Sequence, residues 1–84
     1  MRQIDGKYQT SGVITKLDGT PVPDDEPLIL FRAQDRLLPE LLDLYVQLRQ
    51  QAGSSAEGIA ALQKHVDKIK RWQRQNPDRT RIPL

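Results

Sequence analysis

Gly53-Ser54-Ser55-Ala56-Glu57 is the stretch on which the fold turns, because it stops one amphipathic segment and starts another. Glycine accepts the left-handed backbone that closes a helix. Ser54 and Glu57 have the spacing of a capping box, in which serine and glutamate satisfy each other's backbone donors. Upstream, Pro39 suits the first helical position, and Glu40 beside it favours the positive end of the helix dipole. Leu41, Leu44, Tyr45, Leu48 and Ala52 then recur at three- and four-residue spacing, as one buried face does. Downstream, Ile59, Leu62, Val66, Ile69 and part of Trp72 form the matching face. Asn76-Pro77 ends that run, since the residue before proline resists the α conformation. The sequence therefore predicts helices over about 39–52 and 55–75, joined by a linker short enough to force them antiparallel. Residues 77–84, with Pro77 and Pro83, are expected to form an extended or frayed tail.

The first third reads as strands, within about 7–32. Tyr8, Val13, Ile14, Thr15 and Leu17 favour β structure, and Asp18-Gly19 supplies a tight turn. The two prolines of Thr20-Pro21-Val22-Pro23 exclude a central strand. Asp24-Asp25-Glu26-Pro27 is an acidic loop. Leu28-Ile29-Leu30-Phe31-Arg32 is continuously apolar up to its arginine, which predicts a strand buried on both faces. A two-stranded hairpin is marginal alone. The expected fold is therefore α+β: a short antiparallel β-hairpin packed on an antiparallel two-helix hairpin, in a single small domain over 1–84.

Composition narrows the function classes. The chain has 84 residues, 37% hydrophobic and 29% charged, which implies a globular chain with a thin core. It has no cysteine and one histidine. That removes disulfides, thiolate zinc sites and a cysteine nucleophile, and leaves too few imidazoles for a multi-histidine metal site. The formal charge of +2 is unevenly placed. Residues 1–35 have four bases against six acids (−2), residues 36–62 two against three (−1), and residues 63–84 seven against two (+5). No apolar stretch near Met1 reads as a signal peptide, and no run approaches the ~20 residues of a membrane span. The expectation is a soluble, cytoplasmic protein with no membrane partner.

Candidate sites follow from what remains. His65 is the only general base that titrates near neutrality, and nothing in the sequence sets a nucleophile beside it. No catalytic residues, cofactor or metal are expected. Asp24-Asp25-Glu26 lacks the spaced oxygen ligands and glycine of a calcium loop. Arg32 and Arg36 flank the junction before the first helix, where with Asp35 they could bind a phosphate or carboxylate; alternatively Asp35 caps the coming helix turn and Arg32 pairs with it locally. On the second helix, Lys64, Lys68 and Arg71 share one side, with Arg74 on its flank and Trp72 at its border. That set could follow a phosphate backbone and stack a base, or form a solvated outer face. On the first helix, Leu37, Leu38, Leu42 and Val46 lie partly off the main apolar face, and are the expected partner-binding surface.

Glu26 to Asp35, with Lys7-Tyr8, Tyr45 and Trp72, resembles a loose group of small bacteriophage and prophage proteins. Their shared pattern is a Glu-Pro, an apolar run, an Arg-Ala-x-Asp centre and a late tryptophan. The stretch from Gln9 to Ile14 is longer than that pattern. The resemblance implies no functional residue, only a setting: a protein of a phage or other mobile element. The leading expectation is a non-catalytic protein-binding module from such an element, of the kind that inhibits a host defence complex. Its partner is a host or phage protein, and the thin core also favours a homodimer. The alternatives are a nucleic-acid-binding accessory that uses the basic second helix, and an oligomeric binder of a small anionic ligand.

Overall fold

The computed structural model describes residues 2–84. The protein is α+β, with a two-stranded antiparallel sheet and two helices in contact. The backbone gathers into two compact units, residues 1–30 and 31–84.

In the first unit, β1 (Arg2–Gln3) pairs with β2 (Gln9–Thr10), Arg2 opposite Thr10 and Gln3 opposite Gln9. The turn between them is organised by Asp5. Its Oδ1 accepts the Lys7 and Tyr8 N–H groups at 2.8 and 2.9 Å, and its Oδ2 accepts the Leu30 N–H at 2.8 Å. The Leu30 N–H first, and the Lys7 and Tyr8 N–H groups with it, hold the Asp5 carboxyl below its ordinary value of 3.8. The Asp18-Gly19 turn forms where expected. Gly19 has φ 89°, the Thr20 N–H donates to Asp18 Oδ1 at 2.9 Å, and Thr15 faces Pro21 in an isolated antiparallel bridge. The bonds around that bridge run from Lys16 to Thr20 and from Val22 to Ile14, so the donor that Pro21 lacks is not needed.

The strand expected over residues 28–32 does not form. These residues are extended without ladder partners; Ile29 is 69% exposed, and Leu30 and Phe31 nearly half exposed. The physical reason lies in the donor: the Leu30 N–H goes to a carboxylate, not to a neighbouring strand. The sheet likewise forms ahead of most of the expected 7–32 region.

In the second unit, α1 (Leu38–Gln51) and α2 (Ala56–Gln75) form a helical hairpin within one residue of the expected bounds. α1 ends as the glycine demands. Gly53 has φ 80°, the Ser54 N–H donates to Arg49 O at 2.9 Å, and the Gly53 N–H donates to Gln50 O at 3.2 Å. The α2 cap is one residue later than the capping box implies. Ser55, not Ser54, accepts the Gly58 N–H at 3.0 Å, while Ser54 Oγ accepts Arg49 Nε–H at 3.2 Å. Glu57 thus falls short of the third helical position, and the reciprocal box is not made.

The expected tail is pinned as far as Arg81, and residues 82–84 beyond it are exposed and irregular. Pro77–Arg79 forms a 3-10 turn, and Arg81 bridges in parallel to Asp35 through Arg36 N–H to Arg81 O and Arg81 N–H to Gln34 O, both 2.9 Å. Gln73 Nε2 donates to Ala33 O and Asp35 O at 3.0 and 2.7 Å, which ties the approach to α1 onto α2.

The core is thin. Val66 is fully buried, with Leu38 and Val46 at 2% and 7% exposure, and Ile59, Leu62, Ile69 and Trp72 half-buried on α2. Val66→Ala should destabilise the hairpin by about 2 kcal/mol, through lost transfer energy and a cavity, read from its urea midpoint. In the first unit, the lowered Asp5 value means that its contribution is present above about pH 4 and is lost as pH falls through the folded-state value. The Leu30, Lys7 and Tyr8 amides should therefore lose hydrogen-exchange protection on acidification. In Asp5→Ala they should exchange rapidly at neutral pH as well.

Candidate functional site

α1 carries apolar residues on two sides, and only one of them meets α2. Leu38 and Val46 are buried and Leu42 is half-buried, so three of the four residues expected to bind a partner belong to the interior of the hairpin. Conversely, the expected buried face lies open. Leu41, Leu44, Tyr45 and Leu48 are 46–52% exposed, as is Leu37, the one member of the expected partner surface that stands free.

The observed facing goes with polar contacts that an apolar periodicity does not register. Lys70 Nζ on α2 contacts both Asp43 carboxylate oxygens, at 2.9 and 3.0 Å. Asp43 and Arg49 lie on either side of Leu42 and Val46 around the helix, and each is held near the α2 side, Arg49 through Ser54. This turns Leu37, Leu41, Leu44, Tyr45 and Leu48 away from α2. Arg49 also sits over the Tyr45 ring, 5.8 Å from its centroid, and fixes one edge of the stripe. Leu37, Leu41 and Leu44, with Glu40, Asp43 and Gln47, line a shallow concavity along the helix. The signal that could have found this face is the spacing 37, 41, 44, 48, an unbroken leucine series.

The basic candidates divide into two groups. Arg36 and Arg74 line a second concavity with Lys70, Gln73, Thr80, Pro39 and Pro77, at the end of the hairpin where α1 begins and α2 ends. Lys70 enters this concavity already paired with Asp43. Lys64, Lys68 and Arg71 are exposed elsewhere on α2, and Arg32 is exposed but does not line the concavity. Trp72 is half-buried, and the Arg79 guanidinium lies 4.8 Å from its ring centroid, so it is not a free stacking platform. Asp35 Oδ1 accepts the Leu37 N–H at 2.9 Å, two residues on, in the turn that leads into α1, whose N-cap residue is Leu37 and which has no side-chain cap bond.

No family model, curated protein or solved structure matches this chain. Among the described residues, no group of three His, Asp or Glu side chains is placed to hold a metal ion, and no helix is long and apolar enough to cross a membrane. His65 is exposed on α2. Among the described residues, the leucine stripe and the basic concavity are arrangements that offer chemistry to a partner.

Proposed function

We propose that this chain is a non-catalytic protein-binding module whose recognition element is the outer face of α1. One observation carries the reading: a hairpin that buries only Leu38, Val46 and Val66 leaves Leu37, Leu41, Leu44, Tyr45 and Leu48 half uncovered in one continuous stripe. Isolated exposed leucines are ordinary, but a contiguous helical stripe of large apolar side chains is what an interface presents. A stripe at this spacing is suited to another helix laid along it. The resemblance to phage and prophage proteins supports a setting in a mobile element, in the cytoplasm of a host cell, where inhibition of a host defence complex is one use for such a surface. A photo-crosslinking residue at position 44, compared with the same residue at position 64, tests the reading in cells. Adducts to protein should form from position 44 and not from position 64. No adduct from position 44 removes the reading.

The basic concavity supports a second reading, an anion-binding role, because Arg36, Lys70 and Arg74 converge on it. Lys64, Lys68 and Arg71 add positive charge for a nucleic-acid version, although Trp72 under Arg79 weakens base stacking. Titration with inorganic phosphate, followed by NMR, should shift the Arg36 and Arg74 resonances well before those of Lys64. In Arg36→Glu/Arg74→Glu that response should disappear. Equal, weak shifts at all basic residues would remove a defined site.

A further inference from the structure

We infer that the partner on the leucine face is a second copy of this chain, docked α1 against α1 in antiparallel orientation. The inference rests on the reading of that face as protein-binding, and it names the occupant. The first ground is the spacing itself. Leu37, Leu41, Leu44 and Leu48 are separated by four, three and four residues, a series that reads the same in both directions. Reversing one helix therefore sets Leu37 against the partner's Leu48 and Leu41 against the partner's Leu44, with every leucine matched and none left over. A surface that is its own complement under a two-fold axis is what a closed symmetric dimer requires. The same alternation is the seam spacing of a helical coiled coil, in which apolar side chains interleave as knobs into holes.

The second ground is charge. Between residues 37 and 48 the only charged residues of α1 are Glu40 and Asp43, and Asp43 is already paired with Lys70. Antiparallel docking puts Glu40 near the partner's Gln47, so the two Glu40 carboxylates stand apart. It also opposes the two helix dipoles favourably, which parallel docking does not. The third ground is area. Four leucines and a tyrosine, each about half exposed, amount to roughly 500 Å² per chain and about 1,000 Å² for the pair, the size at which specific interfaces begin. An interface of that size predicts a reversible, concentration-dependent dimer.

The chain has no cysteine, which makes the register directly readable. Sedimentation equilibrium of the full chain should show a shift from 9.6 kDa towards twice that mass as concentration rises into the hundreds of micromolar. Leu41→Glu/Leu44→Glu should remain monomeric at every concentration with an unchanged helical circular dichroism signal, while Lys64→Glu should dimerise as the parent does. For register, a mixture of Leu41→Cys and Leu44→Cys chains should form the mixed disulfide at least several-fold faster than Leu37→Cys chains join each other. Faster joining of Leu37→Cys to itself overturns the antiparallel seam, and a parent chain that stays monomeric throughout overturns the second copy. The monomer result leaves the protein-binding reading standing, since adducts to another protein from position 44 still support it. Absence of any adduct there, with the parent chain monomeric at every concentration, removes both.

Discussion

The second unit depends on a burial limit: α1 has two apolar sides, and α2 can cover only one. Val66 is sealed from water, and the side chains buried with it come from the Leu38–Val46 side of α1. A core of so few aliphatic groups supplies little stabilisation by area, so the hairpin relies on polar contacts at its ends. Lys70 on Asp43, Gln73 on the carbonyls of Ala33 and Asp35, and Arg49 on Ser54 each cross between segments that hydrophobic contact alone would leave free to rotate. Those contacts lie with Leu38 and Val46 on the side of α1 that is turned inward. The exposed leucine stripe is the consequence of that facing, because every leucine assigned to the interior is one fewer for a partner.

The first unit solves the same problem of small size with a carboxylate. Asp5 gathers the N–H groups of Lys7, Tyr8 and Leu30, residues that no sheet ladder satisfies. Charge-assisted bonds to backbone donors are stronger than neutral ones, and three on one side chain replace a strand that the apolar run did not build. Arg2 acts similarly from β1, since its guanidinium donates to the carbonyls of Pro23 and Glu26, both at 3.0 Å. In this unit side chain-to-backbone bonds hold the chain alongside a short β pairing.

What was legible in the sequence follows from where each signal is encoded. Helix ends are written in single residues: Pro39, Gly53 and Asn76-Pro77 act through their own backbone preferences, and the two helices end within a residue of where those preferences put them. The choice between Ser54 and Ser55 as cap was not legible, because adjacent serines differ only in which one the Arg49 side chain occupies. The facing of α1 was not legible for a deeper reason. Leu38, Leu42 and Val46 and the series Leu37, Leu41, Leu44, Leu48 both have helical spacing, and periodicity cannot rank two stripes that each satisfy it. Residues 28–32 failed differently. A continuous apolar run predicts a buried strand only where a neighbouring strand exists to accept its N–H groups, and that neighbour is a property of the tertiary fold.

The uneven charge of the chain takes on a spatial meaning once the helix faces are known. The positive excess beyond residue 63 falls on α2 and the segment after it, whereas the seam of α1 carries no basic residue from Leu37 to Leu48. A face without lysine or arginine brings no cation of its own against its copy, its one unpaired charge being Glu40, and the basic groups on α2 stay outside such a contact. Had the sequence-based facing held, Asp43 and its Lys70 partner would have pointed away from each other, leaving an acid beside the apolar surface and a lysine without its counter-ion. The ion pair and the leucine seam are thus two results of one rotation of α1, and a change that released Lys70 from Asp43 would loosen the setting of the interaction face without touching any residue on it.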